Sequence, residues 1–215
     1  MLVATPALGR RRFVVAGAAS LGALVLPRQL RAQQLVRTPA QTAGPFYPVQ
    51  FPADIDNDLV VVRGTEARAA GVVTHVTGRV LGLDGAPIAD ATVEIWQCDA
   101  NGRYLHPADR GGRARDSAFQ GYGRTTSGAG GTYRFRTIRP VAYPGRTPHI
   151  HFAVSAPQRR ELVTQMYVAG EALNARDGVY AGIRDPRQRE AVTVALAPGN
   201  GIENGALVGT FDIVL

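Results

Sequence analysis

The chain has 215 residues, of which 45% are hydrophobic and 19% charged; 25 are glycine and 14 proline. This balance excludes a disordered chain, a coiled coil and a collagen, and fits one turn-rich domain large enough to bury a core. The single cysteine, Cys98, excludes an internal disulfide and any cysteine-based zinc or iron–sulfur site, and reads as a small packed residue after a strand. The net charge of +7 is concentrated at one end: residues 1–32 hold Arg10, Arg11, Arg12, Arg28 and Arg31 and no acid, leaving +2 on the rest. Such a balanced body argues against a basic nucleic-acid groove.

In chain order, residues 1–32 come first. Arg10-Arg11-Arg12-Phe13 precedes an apolar stretch from Val14 to Leu26, too short to span a bilayer, with small residues before a cut after Ala32. This describes a twin-arginine export signal, which places the mature protein in the periplasm or outside the cell with no stable membrane anchor after signal removal. Residues 33–71 read as an irregular segment that contributes to the site. Within it, TPAQTAGPFYP (38–48) holds three prolines and a glycine, and Leu59 to Val62 is a short apolar run.

From residue 72 to 215 the pattern is strand–turn–strand. Val72 to Leu83 ends at the Asp84-Gly85 turn, and Ala91 to Gln97 alternates, with Val93 and Ile95 opposite Glu94 and Trp96. Thr132 to Ile138 sets Tyr133 and Phe135 against Arg134 and Arg136. His149 to Ser155, Leu162 to Val168, Ala191 to Ala197 and Ala206 to Leu215 are further strands, and only Asn174 to Glu190 has room for a helical turn or two. The expected fold is all-β: an antiparallel sandwich of about seven to nine strands with long loops.

Of four histidines, His149 and His151 stand out. On a strand, positions i and i+2 share a face, so the two imidazoles project together, opposite Ile150 and Phe152. Taken alone, such a pair is most simply two polar residues on a solvated face. Two tyrosines change the reading. Tyr143 lies six residues before the pair in YPGRTPHIH, where a Pro/Gly turn folds it back, and Tyr104 follows a turn after the Trp96 strand. Phenolate is a hard donor suited to Fe(III), and two phenolates plus hydroxide neutralise that ion in a partly buried site. Tyr122, Tyr133, Tyr167 and Tyr180 read as packing residues.

Four segments, TPAQTAGPFYP (38–48), ATVEIWQCDANGRYLH (91–106), GTYRFRTIRPVAYPGRTPHIHFAVSA (131–156) and LVTQMYVAG (162–170), occur in the order and with the residues of the intradiol ring-cleavage dioxygenases. The chain resembles that family, close to its protocatechuate 3,4-dioxygenase β-chain group. The resemblance implies one non-haem Fe(III) per chain, held by Tyr104, Tyr143, His149 and His151. It implies cleavage of a catechol-type ring between its two hydroxylated carbons by O2, giving a cis,cis-muconate-type diacid. Tyr143 would be the displaceable phenolate that takes a proton. Arg146 would stabilise charge on the ring, Gln165 would hydrogen-bond beside it, and Gly44 and Pro45 would line the substrate mouth. His75 and His106 match no ligand position. The partners implied are a small catechol-type diol and O2, with no nucleic acid; both a homo-oligomer and pairing with a second chain stay open. An exported location points toward polyphenols or lignin-derived diols rather than the usual aromatic acids. The competing class is a non-enzymatic, transthyretin-like exported β-sandwich binding module, suggested by GRVLGLDGAPIADATVEIW. A zinc hydrolase lacks a carboxylate near the histidine pair.

Overall fold

The structure, a computed structural model, describes residues 1–2, 35–159 and 161–215. The expected export signal therefore lies, apart from its first two residues, outside the described residues. Ten strands occur among the described residues: β1 (Val73–Leu81), β2 (Thr92–Trp96), β3 (Tyr122–Thr126), β4 (Thr132–Ile138), β5 (His149–Ser155), β6 (Leu162–Val168), β7 (Thr193–Val194), β8 (Ala197–Pro198), β9 (Leu207–Thr210) and β10 (Ile213–Val214). Between β6 and β7 lie a 3-10 turn (Ala172–Arg176) and two short helices, α1 (Gly178–Ala181) and α2 (Pro186–Ala191).

The strands form two five-stranded sheets. In one, β1 pairs with β4 on one edge and with β9 and then β10 along the other, and β8 pairs with β9; the second runs β3-β2-β5-β6-β7. The sheets are mixed rather than purely antiparallel. β1 is parallel to β9 and β10, and β6 is parallel to β7. These parallel pairings arise because the 3-10 turn and two helices carry the chain back along β6 to β7, and because after β7 the chain crosses to the first sheet and returns its last residues beside β1, an arrangement that alternation within single strands does not report. The stretch from Ala191 to Ala197 is not one strand, because α2 runs through Ala191 and leaves only the two-residue β7 and the start of β8. The last stretch, expected as one strand from Ala206, breaks at Phe211-Asp212 into β9 and β10. There the Asp212 carboxylate takes bonds from Arg79 N and Nη2. β3 has no apolar alternation, and the sequence pattern misses it. It is an edge strand ordered by β2 and by the crossing 56–59 segment, where a Cβ on Gly123 would stand 2.5 Å from Leu59 Cδ1.

The core fills the space between the sheets. Val93, Ile95, Ile150, Phe152 and Val154 face Val76, Val80, Phe135, Phe211 and Ile213. Phe152 and Phe211 meet edge to face at 5.0 Å. Loss of one such ring to alanine costs about 3–5 kcal/mol. β5 departs from the half-buried pattern: six of its seven residues are buried. Its outer face, which carries His149, His151 and Ala153, is therefore covered as well. The cover comes from the segment around 41–47 and the loop regions at 98–104 and 141–143, gathered in a second apolar cluster of Trp96, Cys98, Tyr104, Tyr122 and Ala153.

A charged knot ties the 199–206 loop, which joins β8 to β9, to β1 and β4 of the same sheet. The Glu203 carboxylate accepts from Arg136 Nε and Nη2 (2.8 and 2.9 Å), lies 3.0 Å from His75 Nε2, and pairs with Arg68; Arg136 Nη1 also reaches Asp58. These donors, led by Arg136, hold the Glu203 carboxyl well below its ordinary value of 4.5. A carboxyl depressed in the folded state adds stability above its unfolded value, and that stability is lost as pH falls through the folded value. Glu203→Gln is therefore expected to lower the thermal midpoint at pH 7. The gap from the parent protein should narrow as pH is taken below 4.5. Thermal melts of both proteins across pH 3–7 check this, and a gap independent of pH would refute it.

Candidate metal centre

Register builds the site. His151 on β5 stands opposite Trp96 on β2 and Gln165 on β6, and His149 stands opposite Tyr167. All five side chains thus lie on the outer face of the second sheet. The indole of Trp96 stacks on the His151 ring at 4.8 Å and 7°.

Loops bring the tyrosines to the same place. After β2 the chain turns at Asp99, whose Oδ1 accepts from Asn101 N and Arg103 N, while Gly102 takes φ +77°. Asp109 Oδ2 then accepts from Tyr104 N at 2.6 Å, which fixes the backbone of a tyrosine only 2% exposed. On the other side, Tyr143-Pro144-Gly145-Arg146 closes a tight turn with Arg146 N donating to Tyr143 O at 2.9 Å and Gly145 at φ +82°. Pro at the second and Gly at the third position suit such a turn. The rings of Tyr104 and Tyr143 meet edge to face at 5.5 Å.

The polar atoms converge. His149 Nε2 lies 3.2 Å from His151 Nε2 and 3.4 Å from Tyr104 Oη. His149 Nδ1 sits 2.6 Å from Thr147 O, which makes Nδ1 the protonated nitrogen and leaves a lone pair on Nε2. Burial, reinforced by Arg146, lowers the His149 imidazolium to about 4. Burial and the neighbouring His149 and Arg146 lower His151 well below 6.5. Burial raises the phenols of Tyr104 and Tyr143, and Arg146 opposes the rise at Tyr143. Without a cation, two uncharged imidazoles bring their Nε2 atoms within 3.2 Å of each other beside two phenols, and the buried Nδ1 of His151 has no hydrogen-bond partner among the described residues. Among the described residues no group of three or more His, Cys, Asp or Glu side chains could hold a metal. A metal at this place would thus be taken by the two imidazoles together with the phenol oxygens, a donor set suited to a hard trivalent ion. The residues present fit such a group.

The other expected residues fall around this centre. Arg146 Nη1 stands 3.5 Å from Tyr143 Oη, and Nη2 donates to Gln165 Oε1 at 2.5 Å. Gly44, at φ +69°, sits against His151, where a Cβ would come within 3.4 Å of Cε1. Pro45 is exposed beside it. His75 is in the Glu203 knot, and His106 lies against Phe46 rather than in the cluster. Cys98 is buried with its thiol raised to about 12 by burial. Sequence reasoning missed Phe46, which stacks on Tyr104 at 4.9 Å, and Tyr47, which meets Trp96 at 4.9 Å and donates to Glu94 Oε2. It also missed Gln41, whose Nε2 donates to Tyr167 Oη and whose Oε1 accepts from Gln165 N. Tyr167 itself was findable: it lies two positions after Gln165 and so shares its face.

An all-β sandwich with a buried imidazole–phenol cluster on an outer sheet face is an enzyme-type site rather than a spacer's surface. The chain belongs to the intradiol ring-cleavage dioxygenase family: a family model described as Dioxygenase matches residues 42–215. The chain is 37% identical over 179 residues to the protocatechuate 3,4-dioxygenase beta chain of Burkholderia cepacia, covering 80% of this chain and 76% of that one. It is 32% identical over 200 residues to the hydroxyquinol 1,2-dioxygenase of Nocardioides simplex, covering 83% of this chain and 64% of that protein. The dioxygenase domain of a dioxygenase carbohydrate-binding protein fusion from Streptomyces sp. SirexAA-E matches with a TM-score of 0.62 at 32% identity, covering 84% of this chain and 98% of that one. The protein is accordingly an oxidoreductase of the ring-cleaving class.

Trp96 is the only tryptophan of the chain. Stacked on His151, it reports directly on the cluster. Adding ferric iron to the metal-free chain is expected to quench more than half of its emission, and His151→Ala to abolish the response. Emission unchanged by iron would remove the cluster as a metal site.

Proposed function

We propose that the protein is a non-haem Fe(III) dioxygenase that cleaves a catechol-type diol between its hydroxylated carbons with O2, giving a cis,cis-muconate-type diacid. Tyr104, Tyr143, His149 and His151 would hold the iron. The observation that carries the reading is the convergence at His149 Nε2, an uncharged imidazole nitrogen with His151 Nε2 at 3.2 Å and the buried Tyr104 Oη at 3.4 Å. When bound, the iron would supply a Lewis acid that activates the diol for reaction with O2.

The chain's own groups divide the remaining work. Tyr104 is sealed under Phe46 and serves as a fixed donor. Tyr143 is only half-buried, on a four-residue turn, and its Oη is the oxygen placed to accept a proton from a diol hydroxyl. Arg146, 3.5 Å from that oxygen, stabilises negative charge as it develops on the ring. Gln165 and Tyr167 hold Arg146 Nη2 on its other side through the Gln165 carbonyl. Gly44 leaves room beside His151 that a side chain would occupy. Trp96, Phe46 and Tyr47 exclude water from the imidazole side.

The export reading belongs to the same proposal and rests on Arg10-Arg11-Arg12-Phe13 and the apolar stretch after it. It favours larger plant-derived diols over cytoplasmic aromatic acids as substrates. Fusing residues 1–32 to a folded reporter should carry the reporter out of the cytoplasm, and replacing Arg10 and Arg11, the twin pair of the R-R-x-F match, by lysine should hold it inside.

Oxygen uptake by the iron-loaded chain against catechol, protocatechuate, hydroxyquinol and larger catechols tests the reaction. The expected result is stoichiometric uptake with at least one diol, and a wine-red protein whose visible band weakens in Tyr143→Phe. That variant should lose about 10²–10⁴-fold in rate, the range of a lost proton acceptor. A colourless protein without uptake on any diol would leave the transthyretin-like binding module as the better account.

A further inference from the structure

Asp177 precedes α1, and its side chain is fully buried. Oδ1 caps the α1 turn, accepting from Val179 N at 2.9 Å and Tyr180 N at 3.0 Å. Oδ2 does something a cap does not need. It accepts from Arg146 Nε at 2.8 Å and from Thr147 N at 2.9 Å, on the strand-entry segment that leads to the two histidines. All four partners are donors, so an amide in this place would turn an NH2 group onto one of the two pairs. Only a carboxylate satisfies the arrangement, and it also balances the charge of a guanidinium that is largely buried.

The consequences reach the centre by two short routes. With Nε held by Asp177, the remaining face of the Arg146 fork is directed at Tyr143 Oη and Gln165 Oε1. With its N–H held by the same oxygen, the Thr147 residue presents its carbonyl to His149 Nδ1 at 2.6 Å. Asn174 on the preceding 3-10 turn secures the same residue, accepting from Thr147 Oγ1 at 2.7 Å while its Nδ2 donates to Val168 O.

We propose that Asp177 is a positioning residue for ring cleavage: its buried carboxylate aims the Arg146 guanidinium at Tyr143 and, through Thr147, sets the orientation of the His149 ring. The proposal rests on the ring-cleavage reading above, and its test separates the two. In the metal-free full chain, Arg146 should give an Nε–H cross-peak protected from exchange, identified by its loss in Arg146→Ala, and this peak should vanish in Asp177→Asn. In the iron-loaded chain, with hydroxyquinol and catechol as probes, Asp177→Asn is expected to lower kcat about ten- to hundredfold, the cost of losing a partner that orients a site group, with KM changed less than about threefold. Placed on the Arg146→Ala background, the same change should cost clearly less than on the parent background, the remainder being the Thr147–His149 route, because residues that act as a unit are not additive.

An equal loss on both backgrounds, or an Arg146 cross-peak that survives Asp177→Asn, overturns the proposal and leaves Asp177 a helix cap. If Asp177→Asn does not fold, the same cycle with Asp177→Glu, which keeps the charge and displaces it by one methylene, decides by the same additivity. A parent chain that takes up no oxygen on any diol defeats the ring-cleavage reading, while the cross-peak still decides whether Asp177 holds Arg146.

Discussion

The register of three neighbouring strands, β2, β5 and β6, is the constraint from which the site follows. A side-chain period of two sends His149 and His151 to one face, and pairing with β2 and β6 sets Trp96, Gln165 and Tyr167 beside them. A slip of one residue in β5 would exchange this set for Ile150 and Phe152, placing apolar groups at the centre and imidazoles in the core. The hydrophobic packing between the sheets therefore does chemical service. It locks the register, because Ile150, Phe152 and Val154 are buried without exposure on the inner face.

A sheet face becomes a reaction site only when it is dry. Here the dryness comes from segments with little regular structure. The residues around 41–47 lie across the outer face and are bound to it at three points: Gln41 to the β6 backbone and Tyr167, Phe46 over Tyr104, and Tyr47 against Trp96 and Glu94. Removing water depresses the imidazolium forms and favours neutral nitrogen donors, which is the protonation state a metal needs. The same burial raises the phenols, so a trivalent cation is the natural counterweight that would return them to phenolates. Arg146 cannot serve as that counterweight alone, since Asp177 already balances it.

Much of this was legible in the residues. The pair in Pro148-His149-Ile150-His151-Phe152 states its own face by alternation, and Tyr143-Pro144-Gly145-Arg146 states its own turn, because both are local rules acting within seven residues. Five of the long strands could be placed for the same reason. β3 could not, since Tyr122-Gly123-Arg124-Thr125-Thr126 carries no apolar period and is held by partners distant in sequence. The parallel pairings of β1 with β9 and β10 were equally invisible, because they join residues about 130 positions apart.

What local chemistry determined unaided was the kind of fold, the face of the two imidazoles and the presence of nearby phenols. What required the folded chain was the company they keep. Asp177 reads in sequence as an ordinary residue before a glycine, Gln41 as part of an irregular proline-rich segment, and Trp96 as a strand residue on the face opposite Val93 and Ile95. Each acquires its role only when long-range pairing brings it within a hydrogen bond or a ring contact of the cluster. Periodicity and turn preference act over a few residues. The enclosure of a buried polar centre depends on contacts between segments more than a hundred residues apart, as between Gln41 and Gln165, and those are set by the packing of the whole sandwich.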